Sequence, residues 1–477
     1  MSKTHHTNTN NTPPLPIIPG PKAIFGWRIN MLKFYRHPFR YSRWLYQTYG
    51  NLVGLEQGNP SNVFAFGPEL NYQILTNSDL FEVSPSTVAK VPRDTALGRM
   101  FFNNLSLMTG KKHKQHRRLI QPAFHRQQII QYLQDMVYLT EQLVNEWKDQ
   151  TRIDLNIEMK KLTQRIAVKT LFGLYNETEL ERAGAFIQGL TKSLPLVIAA
   201  PIDLPGTPYR RTVRYAEQLE MYVRSLIKQK RAQPNAQDVL ASLIQAHDED
   251  GTKLSDEELI GHTFSLFVAG HETTANALTW IIFLLSQHPN IHQKLLAELN
   301  DKLHGNPPTV EQLSQLSLLE GVVKESLRLL PPASIGIRIA TAPCTLGGYQ
   351  LPKGSNIYYS QFVTHRLPEL YDEPNCFKPE RWATIKRSPY EYLPFSAGQH
   401  MCIGWSFAIQ EIKVVLAILL QKYRFSVVPH TKIQPNLMMR PVYGMPMNIS
   451  PQDGQVSQAP IRGTIHELID IPISSSL

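Results

Sequence analysis

The sequence predicts a mainly α protein with small β-sheets, folded as one large interleaved unit. Three observations predict it. Apolar residues recur at helical spacing through most of the chain. The strand-like segments are short and lie near both ends, at 51–66, 335–360 and 424–450. No internal repeat or long Gly/Ser linker divides the 477 residues, of which 42% are hydrophobic and 18% charged, enough for a sizeable core.

In chain order, residues 1–16 are polar and end in prolines, so they are expected to be disordered. They contain no apolar stretch of the kind found in secretory signals. Residues 51–66 read as two short strands about a turn at Gly58-Asn59-Pro60. From Gln127 to about Lys230 the spacing is mostly helical; Tyr132, Met136, Leu139, Leu143 and Trp147 mark one face. The Pro/Gly-rich stretch Ala199–Tyr209 interrupts these helices. A long helix follows, opened by a capping-box pattern at Ser255 and Glu258 and stopped by Pro289. At about 1.5 Å per residue it spans roughly 50 Å, the width of a domain. Its middle holds Ala269-Gly270-His271-Glu272-Thr273-Thr274, a glycine, a carboxylate and two hydroxyls in an apolar helix, where buried polar groups need partners. Beyond the strands at 424–450, the tail 451–477 begins polar and ends in serines, and is expected to pack loosely or be disordered.

Forty-nine basic against 39 acidic residues give a net charge of +10. There is no zinc-finger spacing, basic-region heptad or aromatic RNA-binding signature, so the surplus does not point to nucleic acid. It fits an acidic protein partner or an anionic surface. Three cysteines form no disulfide framework, and no uncharged apolar run reaches the roughly 18 residues of a spanning helix. Both features lead us to expect a cytoplasmic protein.

The most informative segment is Pro394-Phe395-Ser396-Ala397-Gly398-Gln399-His400-Met401-Cys402-Ile403-Gly404, just before a helix whose apolar positions include Ile412, Val415, Leu416, Leu419 and Leu420. A helix N-terminus favours an anion, so the position is expected to lower the thiol pKa and stabilise a thiolate. Gly398 and Gly404 allow close backbone approach on both sides. A buried small hydrophobe, a nucleophile and a metal ligand are all open readings of an isolated cysteine. The spacing Phe-x-x-Gly-x-His-x-Cys-x-Gly decides among them.

That segment resembles the haem-binding signature of the cytochrome P-450 family, whose thiolate ligates iron and favours O–O cleavage. Other family signatures follow in order. Glu325 and Arg328 resemble its Glu-x-x-Arg, Pro379-Glu380-Arg381-Trp382 its Pro-Glu-Arg segment, and Ala269–Thr274 its central acid–alcohol motif. The resemblance covers about residues 17–450 as a single haem-thiolate monooxygenase domain. It implies haem b held through Cys402, with Phe395, Gly398 and Gly404 shaping the loop. His113 and Arg117 match the family's Trp-x-x-x-Arg, with histidine replacing the usual tryptophan; His400 and Arg338 match the other propionate positions. Glu325, Arg328 and Arg381 would form a buried structural network. Glu272 and Thr273 would relay protons to oxygen, and a distortion of the helix near Gly270 would make room for it.

The resemblance also implies apolar substrate walls at Phe101, Phe102 and Leu105, at Ile187–Ile198, at Phe267 and Ala269, at Ala333, Ile335 and Ile337, and at Val442 and Tyr443. Pro201–Gly206 resembles the retinoid-hydroxylase branch and its soluble bacterial relatives, which implies a fatty acid, alkane, terpenoid or retinoid-like substrate; a bulkier natural-product intermediate is the alternative. O2 and a separate ferredoxin or flavodoxin with its reductase are the expected co-reactants. No carboxylate occurs between Asp94 and Asp135, and the resemblance implies that the cationic stretch Lys111–Arg118 lies on the thiolate side of the haem, which makes it the expected docking surface for an acidic donor. A hydroperoxide isomerase, a peroxygenase or a haem sensor would have little need of the Glu272–Thr273 pair. A monomer is expected, with peripheral membrane contact an open reading for which the surface near 196–209 is a candidate.

Overall fold

The computed structural model describes residues 16–23, 26–83, 91–174, 178–179, 183–186, 189–190, 203–233 and 235–472. The expected disordered segment 1–16 therefore lies outside it, apart from its last residue. So do most of Ile187–Ile198 and the first part of the Pro/Gly-rich break.

The strands are β1 (Leu52–Gly54), β2 (Asn62–Ala65), β3 (Phe81–Val83), β4 (Arg152–Asp154), β5 (Ile335–Ala340), β6 (Cys344–Leu346), β7 (Tyr349–Leu351), β8 (Asn356–Ser360), β9 (Tyr423–Val427) and β10 (Pro446–Pro451). They form a five-stranded sheet in the order β1-β2-β8-β5-β3, a three-stranded sheet β4-β10-β9 and the pair β6-β7. Strands from both ends of the chain thus share sheets: β2 runs parallel to β8, with Val63 opposite Ile357. This interleaving ties early and late parts of the chain into the same sheets.

Helices supply the rest. The central helix Asp256–Gln287 begins in the expected capping box, Ser255 Oγ accepting from Glu258 N–H while Glu258 accepts from Ser255 N–H. His288 ends it and Pro289 opens the next helix, Pro289–Leu303. From Thr274 to Gln287 the central helix is buried all round, as expected of a helix running through a core. It packs along the helix Leu155–Phe172, started by the Asp154 cap on Ile157 N–H. The helix Arg126–Glu146 buries the stripe that the sequence marks, Tyr132, Met136, Leu139 and Leu143, and lies against Trp405–Lys422. Among the described residues no helix is long and apolar enough to cross a membrane.

The C-terminal tail departs from expectation. Ile465, Leu468 and Ile469 are buried, Ile433 N–H bonds to Arg462 O at 2.7 Å, and Arg366 donates to Leu468 O at 3.2 Å. Its polar beginning hides a later apolar cluster that the core takes up.

Candidate active site

Two elements face each other across a cavity of about 330 Å³. One is the middle of the central helix, presenting Leu266, Ala269, Gly270 and Thr273; the other is the loop and helix around Cys402, presenting Phe395, His400, Gly404 and Phe407. The loop is a tight backbone fold. Cys402 N–H bonds to Phe395 O at 2.9 Å and Met401 N–H to Gly398 O at 3.1 Å. Ser396 and Gly398 both take positive φ, 58° and 70°. Ser396 is held there by Tyr359 through a 3.0 Å hydroxyl pair, and a Cβ at residue 398 would meet Leu75 O at 2.1 Å. Only glycine fits both constraints.

Cys402 presents its sulfur to the cavity, and the side chain's exposed surface faces that space. Protein still crowds around it, and burial pushes the thiol up; the Gly404 N–H and the Arg117 charge pull the other way without prevailing. This corrects the expectation of a lowered thiol pKa. The helix proper starts at Trp405, so only one N–H reaches the sulfur. Stabilising the thiolate then calls for a cation, as a metal ligand would have.

A cationic corner adjoins the sulfur. His113 and His400 stack with ring centroids 3.9 Å apart. Burial lowers His113 to about 4 and His400 to about 3, and Arg117 and Arg338 push both the same way. Arg117 bonds to Met401 O at 2.8 Å; Arg338 lies over the Tyr359 ring at 5.4 Å. His113 Nδ1 is buried without a hydrogen-bond partner, an arrangement that is costly unless a ligand completes it. Two arginines and two imidazoles with an orphaned ring nitrogen, beside a thiol, fit a flat group bearing carboxylates and a metal. A Cβ at Gly270 meets nothing within 4 Å, so the opposite wall is open.

The central helix is assigned without a break through Gly270. Thr273 and Thr274 turn their hydroxyls back onto the carbonyls of Ala269 and Gly270, at 2.7 and 2.8 Å. Thr273 lines the cavity. Glu272 does not; it pairs with Lys160 of the neighbouring helix at 3.1 Å, with its side chain 44% exposed. His271 turns inward, its ring bonded to Phe267 O and its carbonyl accepting from Thr163.

Behind the cysteine loop lies a buried network. Arg328 grips Glu325 with two bonds, of 2.9 and 2.8 Å, and both are fully buried. Arg381 adds a third at 3.0 Å and Trp382 Nε1 a fourth at 2.9 Å. Arg328 also ties down the carbonyls of His365 and Pro374. His365 accepts from Leu393 N–H at 2.9 Å, so its other ring nitrogen donates to Arg328 O. Burial and the Arg328 charge hold this imidazole neutral, near 3. The helix bearing Glu325 is thereby coupled to the strand of chain entering the cysteine loop.

Of the expected substrate walls, Ala269 and Ala333 line the cavity. Phe101 packs edge-on against Phe264, Phe102 lies under Arg93, and Leu105 is buried with its N–H bonded to His262. Phe267 is buried against the His271 ring. Ile335 is half-buried, and Ile337, Val442 and Tyr443 are exposed. Lining residues that the sequence did not single out include Leu266, Thr170, Leu171 and Glu411. Glu411 is buried with one carboxyl oxygen unpartnered, and burial drives its pKa well up. A lone acid among Ala408, Ile412 and Val415 was the signal that could have found it.

Comparison with known proteins agrees with this geometry. The cytochrome P450 family model matches residues 18–451, and the chain belongs to that family. It is therefore a haem-dependent monooxygenase that uses haem b, O2 and a redox partner on an organic substrate. It is 32% identical to cyclooctat-9-en-7-ol 5-monooxygenase of Streptomyces melanosporofaciens, over 87% of this chain and 90% of that one. Identity to pentalenene oxygenase of Streptomyces avermitilis is 31%, over 87% and 92%. The solved structure of retinoic acid-bound cyanobacterial CYP120A1 superposes with a TM-score of 0.79 at 24% identity, covering 92% of this chain and all of that one, a likeness of fold.

Proposed function

We propose that the protein inserts one oxygen atom from O2 into a terpenoid or retinoid-like substrate, with Cys402 as iron ligand and Glu272 and Thr273 as the proton path. The observation that carries this reading is the cavity wall opposite Cys402. Leu266, Ala269, Leu327 and Ala333 offer carbon, and the polar groups on the lining are few, chiefly the hydroxyls of Thr170, Thr273 and Thr274 with Ser396, His400 and Glu411. Such a wall suits a hydrocarbon skeleton. The two named relatives are a cyclooctat-9-en-7-ol 5-monooxygenase and a pentalenene oxygenase, and the solved neighbour holds retinoic acid. These names favour terpenoids and retinoids over straight fatty acids or alkanes.

Haem, when bound, supplies the activation of dioxygen. The chain's residues do the rest. Arg117, Arg338, His113 and His400 would hold the propionates; the buried His113 Nδ1 has no hydrogen-bond partner within the protein. Phe395, Gly398 and Gly404 shape the loop that carries Cys402. Glu325, Arg328 and Arg381 hold that loop's support rigid. Glu272 takes protons from solvent beside Lys160, and Thr273 passes them on at the cavity face, its hydroxyl leaving Ala269 O to do so.

A separate acidic ferredoxin or flavodoxin docks on the helix Gly110–Ile120. Its exposed Lys111 and Lys114 make no ion pair among the described residues, whereas Lys112 pairs with Glu258 and Arg118 with Asp248. Reversing Lys111 and Lys114 to Glu is expected to weaken the salt dependence of reduction by ferredoxin; an unchanged dependence rejects this surface.

The test of the whole reading is an absorbance titration of the ferric protein with terpenoids, retinoids, fatty acids and alkanes. A saturable low-to-high-spin shift with a terpenoid or retinoid supports it. A shift with fatty acids or alkanes alone overturns the substrate class. No shift from any of them, in a protein whose reduced carbon-monoxide complex reports thiolate ligation, transfers the assignment to a bulkier natural-product intermediate.

A further inference from the structure

The helix Trp27–Arg36 presents an outward face that the monooxygenase site does not use. Its inner side is set by Asn30, Met31 and Phe34, all buried, with the Asn30 amide bonded to Leu55 O at 2.8 Å. At 100° per residue the opposite arc runs Tyr35, Arg28, Leu32, Arg36, Ile29, Lys33. The structure exposes all six, Leu32 at 68%, Tyr35 at 58% and Ile29 at 38%. Cations and apolar side chains therefore alternate around one surface, with a leucine near its centre.

The charge here has no local balance. Residues 1–55 contain seven Lys and Arg and no Asp or Glu, the first carboxylate being Glu56. Among the described residues, Arg28, Lys33 and Arg36 form no ion pair, and Lys33 bonds only to Asn30 at 3.2 Å. An exposed cation needs no partner in water, but three of them interleaved with exposed leucine, isoleucine and tyrosine do not make an ordinary solvated face. A carboxylate-bearing protein would satisfy the cations and leave Leu32 and Ile29 without a matching surface. An anionic bilayer satisfies both, taking the apolar side chains below its headgroups and the cations among them.

We propose that the Arg28–Arg36 face docks the protein reversibly on anionic phospholipid membrane. The helix has 10 residues and lies in the surface plane rather than across the bilayer. The face belongs to a different helix from the cationic Gly110–Ile120.

The test is co-sedimentation of the full-length holoenzyme with vesicles of phosphatidylcholine containing a minor fraction of phosphatidylglycerol. Neutral phosphatidylcholine vesicles and high salt serve as comparisons. The reduced carbon-monoxide spectrum checks that each variant is folded. Binding to the anionic vesicles is expected, with weak binding to the neutral ones. R28E/K33E/R36E is expected to reduce partitioning strongly, each reversed cation lowering it about fivefold or more. I29S/L32S leaves the charge unchanged and is expected to reduce partitioning at least several-fold by removing buried apolar area. K111E/K114E is expected to bind like the parent. Absence of parental binding to anionic vesicles overturns the proposal. So does equal binding by I29S/L32S, which would mean diffuse attraction by a basic protein without insertion. Loss of binding in K111E/K114E alone would place the contact on the other cationic helix and overturn it too.

Discussion

Lys160 Nζ lies 3.1 Å from Glu272 Oε1, so the acid that precedes the cavity-lining Thr273 is held by a cation from the adjoining helix. The pair is partly exposed and contributes little to stability. Its value lies in position: a carboxylate in contact with solvent stands one residue from a hydroxyl in the cavity. Glu272→Gln keeps the shape and removes the exchangeable acid. Turnover is expected to fall about a hundredfold, the usual scale of a lost general acid, while the haem spectrum and substrate-induced spin shift stay as in the parent. Lys160→Met is expected to change the rate far less, because the carboxylate remains open to water. Equal losses in the two variants would assign the pair to holding helices together.

Glu325 and Arg328 make a different case, being fully buried. Arg328→Leu removes two of the donors to a buried carboxylate and leaves it with Arg381, the Trp382 N–H and the Lys378 backbone N–H. Removing one partner of such a pair costs about 3–5 kcal/mol. The variant is expected to accumulate poorly and to hold little haem. Glu325→Gln, which still accepts hydrogen bonds but strands the Arg328 charge, is expected to fail similarly. Haem content per protein and the thermal midpoint read both.

Acid sensitivity follows from histidines buried as neutral rings. Burial holds His262 near 3 and His292 near 4, below the ordinary 6.5. The unfolded chain therefore takes up protons first. Stability is full above pH 6.5 and falls as pH drops toward 4, by about 1.4 kcal/mol per unit for each such ring. His292 has no partner on either ring nitrogen, so His292→Leu is expected to raise stability by about 1 kcal/mol at neutral pH and to flatten the acid limb. Urea titrations across this range measure it. A steeper acid limb in His292→Leu would show that its ring is paired in solution.

Much of this molecule is legible in the sequence where physics is local. The capping box at Ser255 and Glu258, the stripe Tyr132–Leu143 and the three-residue step from Glu325 to Arg328 depend on neighbours in the chain, and spacing reveals them. The cysteine loop is legible because its glycine and histidine sit at fixed steps. What spacing cannot reveal is rotation and distance. Leu266 and Phe267 are one residue apart, yet one lines the cavity and the other packs against His271; a turn of 100° separates them, and only tertiary packing says which face is inward. Trp382 and His365 join the Glu325 network across separations of 57 and 37 residues. No local pattern marks them. The thiol pKa failed for a similar reason: the helix N-terminus was readable, but the depth of burial around Cys402 was not.

The two glycines that flank Cys402 separate fold from site. Gly398 has φ 70°, and a Cβ there would sit 2.1 Å from Leu75 O. A left-handed backbone costs a non-glycine residue about 1–3 kcal/mol before the clash with a carbonyl is counted. Gly398→Ala is therefore expected to disorder the loop, losing both thermal stability and haem. Gly404 has φ −93°, and its Cβ would meet only the Phe124 ring at 3.9 Å, an ordinary contact. The protein itself tolerates alanine there. Yet Gly404 lines the cavity beside the sulfur, and its N–H is the one that reaches Cys402. Gly404→Ala is thus expected to leave the thermal midpoint of the haem-free chain unchanged while lowering haem content or shifting the carbon-monoxide band, because the added methyl meets the bound group. If Gly404→Ala takes up haem with an unaltered spectrum, the space beside residue 404 is not where the haem approaches, and the placement of the group against this loop must be redrawn.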